Sequence, residues 1–192
     1  ALYKGQPGKP LAIVAAGGGY RQVVSMVESF PYAAELYCHG YSVAVLRYRV
    51  GDELDTSDKS AMRLEASKDL ARSICYLLER QESLGISMEG YTMFGSSAGG
   101  GLITLLCFDE YARLNEKNAA LPRPASINLI YTDRFLLYNE DGSADLQFCA
   151  ADKGLNVFAI VGEGDAYGGD LVLDRKIPEM KAALGDENVV YH

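Results

Sequence analysis

Two serines stand side by side in the stretch Tyr91 to Gly101, YTMFGSSAGGG, flanked by small residues. Glycine weakens strand and helix interiors, so four of them within seven positions demand a local reason. Gly95-Ser96-Ser97-Ala98-Gly99 fits the pattern G-x-S-x-G with Ser97 at its centre. In that pattern a serine is lifted above a sheet on a strained strand-to-helix turn, where its hydroxyl can attack a carbonyl. Residues two before and two after the serine must be small, or they would strike the neighbouring strand and helix. Gly95 and Gly99 meet that demand, and the helix that follows would turn its first amides toward the reacting carbonyl. Ser96 sits one position early and points elsewhere. The alternative is a plain glycine-rich strand–helix turn; a strand before Ser97 and a helix after it favour the nucleophile.

A second glycine cluster, Gly17-Gly18-Gly19-Tyr20, also closes an apolar run. Acyl transfer generates a negative oxygen that needs backbone N–H donors fixed in advance. The amides of Gly18 and Gly19, together with that of Ala98, suit such a hole, because residues without side chains let a substrate approach the main chain. A phosphate-cradling loop would want Lys-Ser or Lys-Thr after the glycines, where the chain has Tyr20-Arg21, and a dinucleotide site would want G-x-G-x-x-G. An ordinary turn stays open as the other reading. Tyr20 and Arg21 lie where they could touch a substrate, and packing of Tyr20 against the sheet is an equal alternative.

The elements that must carry these residues alternate between strand-like and helical stretches, the signature of an α/β fold with a mainly parallel sheet. Leu11 to Ala16 is a continuous apolar run that reads as a buried strand. Arg21 to Gly40 reads as helical with a break near Pro31, and Tyr41 to Val50 as the second strand. Ser60 to Gly85 is the clearest helix, with Leu70, Ile74, Leu77 and Leu78 on one face and Gly85 as its stop. Tyr91 to Phe94 is the third strand, and a helix runs from Ala98 to about Asn115. Strands follow at Ser126–Thr132 and Val157–Val161, then a short helix at Pro178–Leu184 and a last strand at Asn188–His192.

The segments GKPLAIVAAGGGY, GYSVAVLRYRVG, DLARSICYLL and GSSAGG resemble successive landmarks of α/β-hydrolase-fold esterases, above all acetyl-xylan-esterase-like carboxylesterases and lipases with a GGGY loop. The likeness covers Gly8 to Gly101 well and the rest loosely. It implies an α/β-hydrolase fold, a mainly parallel sheet with helices on both faces, in one domain spanning residues 1–192. It also implies a serine–acid–histidine triad in that chain order. The family's G-x-x-D after a late strand selects Asp165 as the acid that orients the imidazole, with Asp152, Asp170 and Asp174 as nearby competitors. His39 precedes the serine and reads as a surface or capping residue. His192, after Asp165 in the family's chain order, is either the base or a residue of the final strand, the family's histidine belonging in a loop beyond that strand. The chain also departs from the family before Leu11, where only ALYKG stands for the expected antiparallel strands, and in the short polar segment between the fourth and fifth strands. It is read as shortened at both ends and in the cap region, either naturally pared down or incomplete.

Nearly half of the 192 residues are hydrophobic and 23% are charged, an ordinary globular composition. The net charge of −8 argues against nucleic acid. Cys38, Cys75, Cys107 and Cys149 show no metal or redox spacing and read as buried free thiols. No metal or other cofactor is expected, and no apolar run is long enough for a membrane span. The expected compartment is the cytoplasm, or the exterior if a leader has been removed; no pattern encodes the oligomeric state. The leading expectation is hydrolysis of small-molecule carboxylic esters through an acyl-enzyme on Ser97, with small acyl groups on carbohydrate implied by the resemblance. A peptidase of the same fold and a non-catalytic hydrolase-fold binding protein are the alternatives.

Overall fold

The computed structural model describes residues 1–54, 57–109, 121–132, 155–162, 165 and 177–192. Its strands are β1 (Leu2–Tyr3), β2 (Leu11–Ala15), β3 (Ser42–Leu46), β4 (Thr92–Ser96), β5 (Ser126–Ile130), β6 (Asn156–Ile160) and β7 (Val189–Tyr191). They form one sheet in the order β1-β3-β2-β4-β5-β6-β7. Every neighbouring pair is parallel except β1 with β3, so ALYKG does supply a short antiparallel edge. The helices are α1 (Ser25–Glu28), α2 (Phe30–Cys38), α3 (Lys59–Leu84), α4 (Ala98–Thr104) and α5 (Ile177–Leu184).

Strands β2 and β3 are buried at every position because helices cover both of their faces, which is why they read as unbroken apolar runs. On one face, Leu11, Ile13, Met93, Ile127 and Val157 pack with Leu70, Ile74 and Leu77 of α3, Leu102 and Ile103 of α4, and Met180 of α5. Leu78, expected on the same stripe, lies at its margin. On the other face, Val14, Val43 and Val45 pack with Ala33 of α2, bordered by Tyr32, Leu36 and Phe94. Burial of that apolar area is the main favourable term holding the layers together. In β5 and β6 burial alternates, Ile127, Leu129, Val157 and Ala159 being buried between more exposed neighbours.

Several expectations need correction. The first helical stretch begins at Ser25 rather than Arg21, and its break, expected near Pro31, falls at Ser29. Pro31 sits in the first turn of α2, where its missing N–H costs no intrahelical bond. The second strand ends at Leu46 rather than Val50, because the chain then leaves the sheet toward α3. The helix after Ser97 is α-helical only to Thr104 and widens to a π-turn over Leu105–Asp109. Its expected continuation to Asn115 lies outside the described residues. The stops expected at Gly40 and Gly85 both adopt positive φ, 88° and 64°. Of the cysteines, Cys107 is buried, Cys75 half-buried and Cys38 exposed at the end of α2, so the expectation of buried thiols fails for Cys38. Burial pushes the Cys107 thiol up to about 12, which keeps it protonated and unreactive. Cys149, Asp152, Asp170, Asp174 and the expected cap segment lie outside the described residues.

Candidate active site

Ser97 lies between the end of β4 and the start of α4 with φ 49° and ψ −122°, a conformation that non-glycine residues avoid. Such strain persists only where the surroundings over-determine it. Here the Ser97 N–H donates to the Ile130 carbonyl at 3.0 Å, and the Ser97 carbonyl accepts the Gly101 N–H at 3.1 Å. The neighbouring glycines leave no room for anything larger. A Cβ on Gly95 would come within 2.6 Å of Gly100 N, and one on Gly99 would strike the Ala15 carbonyl and lie 2.6 Å from that of Ala16. On Gly100 it would collide with Thr132. Ser96 is buried and its hydroxyl has no hydrogen-bond partner among the described residues.

The GGGY loop leaves β2 and passes directly beside this turn. A Cβ on Gly17 would lie 2.6 Å from Ser97 Cβ and 2.7 Å from Glu28 Oε2. Gly18, Gly19 and Tyr20 all take positive φ, 127°, 63° and 61°. That run turns the chain sharply, and the Gly18 carbonyl accepts the N–H groups of Arg21 at 3.2 Å and Gln22 at 3.3 Å. The amides of Gly18, Gly19 and Ala98 donate to none of the described residues. Tyr20 is buried, and its hydroxyl donates to the Ala98 carbonyl at 3.0 Å, bridging the glycine loop to the first residue of α4. Arg21 is exposed.

Three residues that the sequence reading did not single out complete the surroundings. The Glu28 carboxylate, at the end of α1, accepts the Gly17 N–H at 2.6 Å. The buried Tyr48 hydroxyl donates to the Ala16 carbonyl at 2.8 Å. Tyr131 follows β5 with φ 37°, the third non-glycine residue at positive φ among those described. Burial raises the Tyr131 phenol to about 12, helped by the charge of Glu28 and by Tyr32, so it stays a neutral hydroxyl group.

Asp165 is half-buried in the turn that follows β6, its N–H donating to the Gly162 carbonyl at 3.1 Å. Glu163 and Gly164, between them, lie outside the described residues. His39 caps α2 and its exposed ring pairs with Glu35 at 3.1 Å. His192 continues the β6–β7 ladder, donating its N–H to Ala159 at 2.9 Å. Its ring packs against Phe158 with centroids 5.9 Å apart. Three strand spacings, roughly 14 Å, separate β7 from β4. Among the described residues no cluster of histidine, cysteine and carboxylate side chains could hold a metal ion, and no helix is long and apolar enough to cross a membrane.

No family profile and no curated protein matches the chain. Solved structures do. A bacterial heroin esterase is 18% identical with a TM-score of 0.70, covering 97% of this chain and 65% of its own. A carboxylesterase from Lactobacillus plantarum is 16% identical with a TM-score of 0.72, covering 100% and 76%. An acetyl ester-xyloside bifunctional hydrolase from Caldicellulosiruptor lactoaceticus is 22% identical with a TM-score of 0.69, covering 97% and 72%. This chain thus spans about two thirds to three quarters of the proteins it superposes on. At these identities the likeness is one of architecture. The parallel sheet, its helical layers and these superpositions together make the fold that of the α/β hydrolases.

Proposed function

We propose that the chain is a serine hydrolase acting on carboxylic esters. The observation that carries this reading is the backbone of Ser97, held at φ 49° against the glycine loop. In the proposed reaction Ser97 Oγ bonds to the ester carbonyl carbon and passes its proton to an imidazole base, which returns it to the departing alcohol. The tetrahedral oxyanion is held by the amides of Gly18, Gly19 and Ala98. Collapse breaks the bond to the alcohol, which leaves with a proton, and the acyl group stays on Ser97. Water then releases the acid and restores the hydroxyl. Asp165, after β6, is the acid assigned to orient the imidazole that shuttles the proton. Small acyl groups, including acetyl on carbohydrate, are the substrate class proposed. The acetyl ester hydrolase among the structural neighbours supports it.

A second reading, a hydrolase-fold protein that binds without turnover, is favoured by the contacts of the two histidine rings, His39 with Glu35 and His192 against Phe158. Treatment with an alkyl fluorophosphonate separates the two. The esterase reading expects a covalent adduct on Ser97 by peptide mass spectrometry, absent in Ser97→Ala, and hydrolysis of p-nitrophenyl acetate. A folded protein that gives neither adduct nor hydrolysis would favour the binding reading.

A further inference from the structure

The peptide that joins Ala16 to Gly17 is gripped at both ends by side chains from elsewhere in the fold. Its carbonyl accepts the Tyr48 hydroxyl at 2.8 Å, and its N–H donates to Glu28 Oε2 at 2.6 Å. Tyr48 comes from the chain leaving β3 and Glu28 from the end of α1. The loop they hold is otherwise soft, because three successive glycines contribute no side chains and accept several backbone conformations. It also has little room to move, since Gly17 is wedged between Ser97 Cβ and the Glu28 carboxylate.

We infer that Glu28 and Tyr48 are positioning residues of the oxyanion hole, clamping the 16–17 peptide so that the next two amides, of Gly18 and Gly19, stay turned toward Ser97. The inference rests on the esterase reading of Ser97. Rotating the clamped peptide would break two bonds at once, one of them to a charged acceptor and therefore strong. It would also leave a buried carbonyl and the carboxylate unpaired. The two grips reinforce each other. Burial, with the nearby Tyr20 and the charge of Glu28, drives the Tyr48 phenol far above its ordinary range, so it remains a donor wherever the protein is folded. Arg49, next in sequence to Tyr48, is tied to Asp69 of α3 through its backbone N–H at 3.1 Å and its guanidinium at 2.8 Å. The Tyr48 end of the clamp is therefore anchored to the longest helix.

The test compares Glu28→Ala, Glu28→Gln and Tyr48→Phe with the unaltered chain. The rate of Ser97 phosphonylation is measured against fluorophosphonate concentration, so that maximal rate and half-saturating concentration separate. Exchange of the Gly17 amide is followed by NMR. Loss of a preorganised hole slows bond formation rather than binding. The expected result is a maximal rate lower by about tenfold or more in Glu28→Ala and Tyr48→Phe, with half-saturation within about twofold. Glu28→Gln keeps an acceptor oxygen and recovers most of the rate. Tyr48→Phe removes one oxygen from a retained ring, so it keeps the test alive if the Glu28 variants misfold. Unchanged maximal rates in folded variants, or a glutamine no better than alanine, overturn the clamp and leave the esterase reading standing. An unaltered chain that resists labelling while its Gly17 amide is protected overturns the esterase reading and this inference with it.

Discussion

The strained turn at Ser97 was legible because its demands are local. A serine at positive φ needs small residues two positions away on either side, and those requirements sit within five consecutive letters. The structure assigns each glycine its obstacle. Gly99 faces the carbonyls of Ala15 and Ala16, which belong to the buried strand β2 and the loop it feeds and cannot retreat. Gly99→Ala is therefore expected to cost about 1–3 kcal/mol by overpacking, read as a lower urea midpoint with an unchanged slope. An alanine variant as stable as the parent would show that β2 and α4 are not in tight contact. Glu28 and Tyr48 were not legible. Their partners lie 11 and 32 residues away, and a glutamate in a short helix or a tyrosine after a strand carries no mark of what it will hold. Tyr20 was left between substrate contact and packing; its buried ring and its bond to Ala98 place it in the joint between loop and helix.

Among the elements, the strands were read correctly in kind and order, because apolar runs bounded by glycine have few other uses in an α/β chain. The misplaced boundaries have physical causes. The stretch Arg47 to Val50 has a strand's composition, yet Arg49 is drawn out of the sheet by Asp69 and Glu65 on α3. This network is partly buried and bidentate, the geometry in which an ion pair contributes measurably. Burial raises the Asp69 carboxyl, but the Arg49 side chain and backbone N–H outweigh it and hold the group below its ordinary value. Asp69 thus stabilises the fold above its unfolded pKa, and that contribution disappears as pH falls through the lower folded value. Asp69→Asn should cost about 1–2 kcal/mol at neutral pH. Its stability should fall less steeply than the parent's below about pH 4. Parallel acid limbs in the two proteins would mean that the pair contributes nothing to folding.

For the whole molecule, the fold class followed from the alternation of strands and helices, whereas sheet order did not: β3 lies outside β2, and β4 inside it. That order decides which loops meet. It brings the ends of β2, β4 and β5 side by side, with Gly17, Ser97 and Tyr131 on adjacent strands, and it sends His192 to the far side of β6. No local pattern could have announced that separation, because it depends on how many strands intervene.

The positive φ of Ser97 has a consequence in time. The bond that fixes it comes from Ile130 of β5, on one side of β4, and the wall against it comes from Gly17, after β2 on the other side. Until β2, β4 and β5 have all paired, nothing compensates the strain, and the serine relaxes to an ordinary conformation. Long-range parallel pairing is slow. During refolding, short pulses of fluorophosphonate should therefore modify Ser97 only after circular dichroism has reached its native value. Labelling that keeps pace with secondary structure would mean the turn forms on its own. Late labelling would make the serine a clock hand for the last step of assembly.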